Sequence, residues 1–325
     1  MADKNVVTVP VALTGPVETC RSESYLERPS GVRLYQCHWR ASVPMRETRS
    51  ATGRETRSAP RPILVLMHGF AEHCRRYDEF AEYLLGAGVD VSRFDARGHG
   101  RSNGQRGHVA RFEDYVEDLR AFVRHVSELS PERPLLLFGH SNGGLIAIRA
   151  LQAGLPGVQG LVLSNPLLGL RAARKPVPDA LARLLSWGAS RLPLPNGLRP
   201  QDLTSEPAIL EALLQDPWVH RVATPRWYWS TTLAGRAALA DAERVTLPLL
   251  LVLGELDPLV EPGYATQFYE RAASRDKRLV TRRGELHEVL NETDRRSLFE
   301  LILTWLERVC AVPSAQPAPS DSDIA

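Results

Sequence analysis

The stretch Pro134-Leu-Leu-Leu-Phe-Gly-His-Ser-Asn-Gly-Gly144 constrains this chain more than any other. Leu135, Leu136, Leu137 and Phe138 form a continuous apolar run, as a parallel strand covered on both faces requires. Gly139-His140-Ser141-Asn142-Gly143 follows as a G-x-S-x-G, and Leu145 to Leu151 is rich in helix formers. A serine held at so sharp a strand-to-helix turn needs strained backbone angles and small neighbours two residues away on each side. Gly139 and Gly143 meet that need, and Gly144 adds room. The helix that begins just after Ser141 aims free N–H groups and its positive dipole end at the same point, where they would stabilise a developing oxyanion. By itself G-x-S-x-G is a weak signal. Between an apolar strand and a helix it marks Ser141 as a nucleophile rather than a solvated loop serine.

Composition narrows the rest. Lys+Arg 40 against Asp+Glu 38 leaves a net charge of +2, with no basic excess for nucleic acid. The four cysteines, Cys20, Cys37, Cys74 and Cys310, include no C-x-x-C pair. Neither a zinc site nor a redox motif is indicated, and free thiols fit a reducing, cytoplasmic setting. Met1 to Val7 lacks the long apolar segment of a secretory signal, and no apolar run is long enough to span a bilayer.

Along the chain, strand and helix patterns alternate. Val32–Trp39 alternates as a strand; Arg61–Met67, Val89–Phe94 and Gly160–Asn165 are further strands. Tyr77, Phe80, Ala81 and Leu84 mark one helix, and Phe112 to Val126 the apolar face of a longer one. This predicts an α/β fold: a mostly parallel sheet with helices on both faces, and a ligand site beyond the carboxyl ends of its strands. His68, Asp95, Ser141 and Asn165 all fall at such ends. From 167 to 245 the pattern breaks into short amphipathic segments interrupted by prolines, and carries Trp187, Trp218, Trp227 and Trp229. That is far more chain than a plain crossover needs, so it reads as an inserted helical cap whose tryptophans serve equally as cap core or as pocket lining. The sheet resumes with Leu247–Gly254 and Arg278–Thr281, and a last helix covers about 292–309. The expected organisation is an N-terminal segment (1–30), a core formed by 31–166 and 246–311, the cap (167–245) and a disordered tail (312–325). Arg46-Glu-Thr-Arg-Ser-Ala51 recurs as Arg54–Ala59 and reads as an expanded hairpin loop.

A serine hydroxyl needs a base, and an imidazole base needs a carboxylate to hold its tautomer. On this type of strand–turn–helix scaffold the chain order is serine, acid, histidine. Only His220 and His287 follow Ser141. His220 lies within the cap, whereas His287 lies in the loop after the last strand and is the expected base. Asp257, just beyond the apolar run Leu249–Leu253, is the expected acid; Glu255 is its rival, ahead of Asp276 and Glu285. The oxyanion would be met by the backbone N–H of Asn142 and of Phe70, in the loop His68-Gly69-Phe70. His68, Glu72 and His73 do not complete a metal site. Asp95, Arg97 and His99 read as braces of a Gly-rich turn, and His140 as a packed or hydrogen-bonded side chain. No metal or cofactor is called for.

These residues resemble the monoacylglycerol lipase and lysophospholipase group of α/β-hydrolases. The resemblance rests on His68-Gly-Phe-Ala-Glu-His73, Asp95-Ala-Arg-Gly-His-Gly-Arg-Ser102 with Gly104–Val109, Gly139–Gly144, Gly254-Glu-Leu-Asp257 and His287-Glu-Val-Leu-Asn-Glu292, and spans about 30–310. It implies an α/β-hydrolase fold and carries Ser141, Asp257 and His287 over as a triad, with Phe70 and Asn142 as oxyanion donors. Asn142 departs from the methionine frequent at that position. The implied reaction is ester hydrolysis through an acyl-enzyme, with a monoacylglycerol or lysophospholipid as the small lipid substrate. Such a protein has no nucleic-acid partner and is compatible with peripheral contact at a membrane; nothing in the chain signals an oligomeric state. A general carboxylesterase, thioesterase or peptidase with the same triad is the alternative, and a non-catalytic ligand-binding protein a more distant one. Epoxide and haloalkane hydrolases place aspartate where Ser141 stands.

Overall fold

The computed structural model describes residues 20–41, 61–171 and 178–311. The repeated Arg-rich hexapeptide, the segment before Cys20 and the chain from 312 lie outside the described residues.

Eight strands form one sheet. They are β1 (Cys20–Glu27), β2 (Arg33–Arg40), β3 (Ile63–Met67), β4 (Asp90–Phe94), β5 (Leu135–His140), β6 (Val158–Ser164), and, after two short strands of the insert named below, β9 (Leu249–Gly254) and β10 (Lys277–Arg282). Their spatial order is β1-β2-β4-β3-β5-β6-β9-β10. The pairs β1–β2 and β2–β4 are antiparallel and the remaining pairs parallel. Register aligns Phe94 and Gly139 on either side of Met67, so β3, β4 and β5 end level with one another.

The apolar runs explain the layering. A strand turns successive side chains to opposite faces, so a continuous run supplies two cores at once. Leu135, Leu137, Leu161, Leu163 and Leu251 pack on one face with α2 (Phe112–Leu129) and α3 (Asn142–Gln152). Leu136, Phe138, Val162, Leu250 and Val252 pack on the other with α1 (Asp78–Gly86) and α8 (Arg295–Ala311). The α2 face read from the sequence, Phe112 to Val126, is the buried one.

Cys20–Glu27, within the expected N-terminal segment 1–30, is one edge strand of the sheet. Its polar residues Arg21, Ser22, Glu23 and Ser24 are half-buried or exposed, so apolar alternation had no reason to develop. Between β6 and β9 the chain carries α4 (Asp179–Gly188), α5 (Pro207–Gln215), α6 (Pro225–Ala240) and a two-residue antiparallel ladder, β7 (Leu194–Pro195) with β8 (Val222–Ala223). Prolines open α5 and α6, where a missing N–H costs nothing. The helix α7 (Pro262–Arg271) connects β9 to β10. The insert is fixed to the sheet side by backbone bonds: His220 N–H donates to Ala71 O at 3.0 Å and Thr224 N–H to Gly107 O at 2.9 Å.

Candidate active site

Ser141 sits between β5 and α3 with φ 51° and ψ −119°, a left-handed conformation that is costly for a residue with a Cβ. The turn holds because its neighbours have no side chains. A Cβ on Gly143 would fall 2.3 Å from both His68 O and Met67 O, and one on Gly139 would fall 2.7 Å from Gly143 O. Ser141 N–H is bonded to Ser164 O at 2.9 Å, and Ser141 O accepts from Leu167 N–H at 2.9 Å. Strain at the serine is thus held by close packing and by β6 on its flank.

His287 and Asp257 meet across 30 residues. His287 Nδ1 lies 2.6 Å from Asp257 Oδ2, and both side chains are buried. The other carboxylate oxygen, Oδ1, accepts Leu259 N–H at 2.7 Å and Val260 N–H at 3.2 Å. Burial pushes the Asp257 carboxyl up, but the His287 imidazole beside it and these two N–H groups together hold it below the usual carboxylate value. Burial pushes His287 down, and Asp257, by charge and hydrogen bond, more than reverses this, so His287 stands above the usual imidazole value. The loop is further held by Asn165, whose Nδ2 donates to His287 O at 2.6 Å and whose Oδ1 accepts Gly254 N–H at 3.0 Å. Glu255 does not approach His287: it is exposed and accepts Gly284 N–H at 2.9 Å.

Ser141, His287 and Phe70 line one cavity. Leu167, Leu198, Leu203, Leu213, Leu259 and Val260 make most of its wall apolar. Glu72, Arg76 and Glu288 form a polar end. Asp257 stands behind His287 rather than in the wall, and Asn142 is buried as the first residue of α3. Phe70 stacks on Trp227, ring centroids 3.6 Å apart, so one of the four tryptophans of the insert is wall. Trp187, by contrast, is 73% exposed.

The other histidines have separate duties. His68 is fixed between Gly69 O and Ala96 N–H, and burial lowers it. His140 bonds Ser164 Oγ at 3.1 Å; burial and the nearby His287 push it to about 4. His73 Nε2 pairs with Asp216 Oδ2 at 2.7 Å, which ties the insert to the loop after β3. His220 lines the cavity and is held at about 4, chiefly by burial. Asp95 accepts Cys74 N–H and Arg101 N–H and so closes the Gly-rich turn. Among the described residues no group of three His, Cys, Asp or Glu is placed to hold a metal ion. Glu72, Arg76 and Glu288 had no signature as a unit in the sequence because Arg76 and Glu288 are 212 residues apart; only the folded chain joins them.

The family described as "Serine aminopeptidase, S33" matches residues 58–294. The chain is similar to a monoacylglycerol lipase of Mycolicibacterium smegmatis, with 32% identity over 89% of this chain and 98% of that one. It is also similar to the phospholipase YtpA of Bacillus subtilis, with 29% identity over 75% of this chain and 95% of that one. The crystal structure of a monoacylglycerol lipase from Paleococcus ferrophilus superposes with a TM-score of 0.71 at 30% identity, covering 77% of this chain and 97% of that one. Sheet order, strained serine turn and relatives agree: the chain belongs to the serine aminopeptidase S33 family of α/β-hydrolases, in its monoacylglycerol lipase group, and is a carboxylic ester hydrolase.

Proposed function

We propose that this protein hydrolyses single-chain lipid esters, monoacylglycerols or lysophospholipids, with Ser141 as nucleophile. His287 takes the Ser141 proton as that oxygen attacks the acyl carbonyl, then returns it to the leaving alcohol. Asp257 orients His287 and stabilises its charged form. The N–H groups of Phe70 and Asn142 receive the oxyanion. Water, activated by His287, then releases the fatty acid from the acyl-enzyme. The observation that carries this reading is the 2.6 Å His287–Asp257 pair set against the same cavity as the strained Ser141.

The cavity supports the choice of ester. An apolar wall suits one acyl chain. In this reading residues 167–245 act as a cap over the site within the core formed by 31–166 and 246–311. Leu184, Trp187, Leu192 and Leu194 are exposed on that segment, which supports peripheral contact with a lipid surface where such substrates reside. No helix among the described residues is long and apolar enough to cross a membrane. The peptidase alternative, suggested by the family's description, finds little support. A peptide's α-ammonium needs a free carboxylate, and the cavity's two described acidic residues, Glu72 and Glu288, are both engaged by Arg76.

The test is hydrolysis of monoacylglycerols, lysophosphatidylcholine, short nitrophenyl esters and an aminoacyl anilide by the wild type and by Ser141→Ala. The expected result is lipid cleavage that falls at least ~10³-fold in Ser141→Ala, with fluorophosphonate labelling lost. Cleavage of short esters alone would overturn the lipid assignment, and undiminished cleavage by Ser141→Ala the nucleophile.

A further inference from the structure

A buried ionic chain forms the polar end of the cavity. Arg76, in the turn before α1, donates from Nη1 to Glu288 Oε1 at 2.6 Å and from Nη2 to Glu288 Oε2 at 2.7 Å. Its Nη1 also reaches Glu72 Oε2 at 3.1 Å. Glu72 Oε1 accepts Gly69 N–H at 2.5 Å and the Tyr77 hydroxyl at 2.7 Å. Glu288 Oε2 also accepts from Asn291 Nδ2 at 2.7 Å. All three charged side chains are less than a tenth exposed. Bonds therefore link the residue before Phe70 to the residue after His287 without a gap.

Burying three charges is expensive, and apolar residues of similar volume would fill this space at less cost. What the ionic chain offers instead is direction. A bidentate guanidinium–carboxylate pair fixes two groups in a plane, where an apolar contact leaves them free to slide. Two loops from distant parts of the sequence need such a fix here, since one carries the base and the other an oxyanion donor.

We propose that Arg76 is a positioning residue: clamped between Glu288 and Glu72, its guanidinium holds the His287 loop in register with the Gly69–Phe70 loop, so that proton transfer and oxyanion stabilisation act on one carbonyl. This rests on the catalytic roles proposed above for His287 and Phe70.

The same groups shape the field at His287. Facing it are Asp257, the neutral His140 with its ring centroid 4.8 Å away, Glu288, Glu72 and, through those carboxylates, Arg76. Burial lowers His287; Asp257 raises it most, and Glu288 and Glu72 raise it further. Glu288 stays ionised: burial raises it, but Arg76 outweighs this and holds it at about 2. Removing the Glu288 charge must therefore lower the pH at which His287 becomes a neutral base.

The experiment compares wild type, Arg76→Lys, Glu288→Gln and the double variant in kcat, KM and the pH profile of kcat/KM. Arg76→Lys keeps the charge but loses the fork, so kcat falls about 10- to 100-fold, as a small misplacement of reacting groups produces, while KM and the acid limb stay near wild type. Glu288→Gln lowers kcat similarly and moves the acid limb to lower pH. The double variant loses no more than the worse single variant, because both break one link. A rise in KM with kcat intact would overturn the proposal and make Arg76 a substrate-binding residue. Losses that multiply, with an unmoved acid limb in Glu288→Gln, would overturn it as two separate packing roles. Thermal unfolding of each variant establishes folding, and if Arg76→Lys does not fold, the kcat and pH shift of Glu288→Gln decide. Ser141→Ala separates the underlying reading: if it retains hydrolysis, the catalytic roles fall whatever the Arg76 variants do.

Discussion

Beneath the cavity there is no room for a methyl group; above it, leucines and tryptophans stand in water. Gly139 and Gly143 are in contact with backbone on the serine turn. Leu184 is 68% exposed and Trp187 73% exposed on α4, and a Cβ on Gly188, at the end of that helix, would meet nothing within 4 Å. In the proposed mechanism the floor fixes a reacting oxygen against a base, a task in which small displacements are costly. With the proposed substrate the insert would have only to enclose a chain of methylenes, and apolar contact is non-directional. In the proposed reading, chemistry falls to the tightly packed half and choice of substrate to the half with freedom to vary.

The sharpest way to break this division is at the acid. Asp257→Asn leaves the fold of the floor in place but removes the carboxylate that holds the His287 tautomer. Turnover should fall about 10⁴-fold, as loss of a triad acid does, with KM little changed in steady-state kinetics. A loss of tenfold or less would mean that His287 is oriented by something else.

Next in size is a pair of glycines. Gly143→Ala places a Cβ 2.3 Å from two backbone oxygens that cannot move aside, so it should cost about 3 kcal/mol or more in denaturant unfolding. Gly188→Ala, in open space at the end of α4, should be neutral or stabilise by up to ~1 kcal/mol. Equal costs at the two sites would remove the contrast between floor and insert.

The sequence was legible where one residue type answers one local need. Leu135–Phe138 could be placed because a strand buried on both faces is apolar throughout, and the elbow because Gly139 and Gly143 stand where no side chain fits. Asp257 and His287 were legible from their position at strand ends, and the structure brings their side chains together. Cys20–Glu27 was not legible, since an edge strand half in solvent has little apolar alternation to display. Nor was the split among the tryptophans. Trp227 against Phe70 and Trp187 in solvent look alike in the sequence, because the ring that Trp227 packs on belongs to a distant loop. The link from Gly69 through Glu72 and Arg76 to Glu288 had no local signature, because charged residues near a turn usually face water.

The floor should also respond to pH in a defined direction. In the proposed mechanism His287 must be neutral to act as base, and burial, which lowers it, is outweighed by Asp257, so its folded value lies above the usual one of about 6.5. Activity should rise with pH through a midpoint above that value. Stability moves the other way: a group raised on folding contributes in full below its unfolded value, and that contribution is lost as pH rises through the folded value. In the window between them kcat/KM climbs while the His287–Asp257 contribution to stability declines. Asp257→Asn should move the remaining activity's acid limb to lower pH. A pH–rate profile that is flat from about 6 to 8 would contradict the raised value.

The smallest structural effect, and the one that isolates the insert, is expected at α4. Leu184 and Trp187 make little of the core, so Leu184→Ser with Trp187→Ser should alter stability by no more than about ±0.5 kcal/mol each. Hydrolysis of a short soluble nitrophenyl ester should be unchanged, since Ser141, His287 and Asp257 are untouched. Monoacylglycerol presented in vesicles is a different matter. There the enzyme must first meet an interface, and on the proposed reading two exposed apolar side chains would supply part of that affinity. The double variant should lose vesicle hydrolysis several-fold, seen as a higher lipid concentration for half-maximal rate with the same limiting rate. If soluble and vesicle substrates fall together, the insert is coupled to the floor rather than separate from it. If neither falls, those side chains do not meet lipid, and the exposed face of α4 has no part in substrate capture.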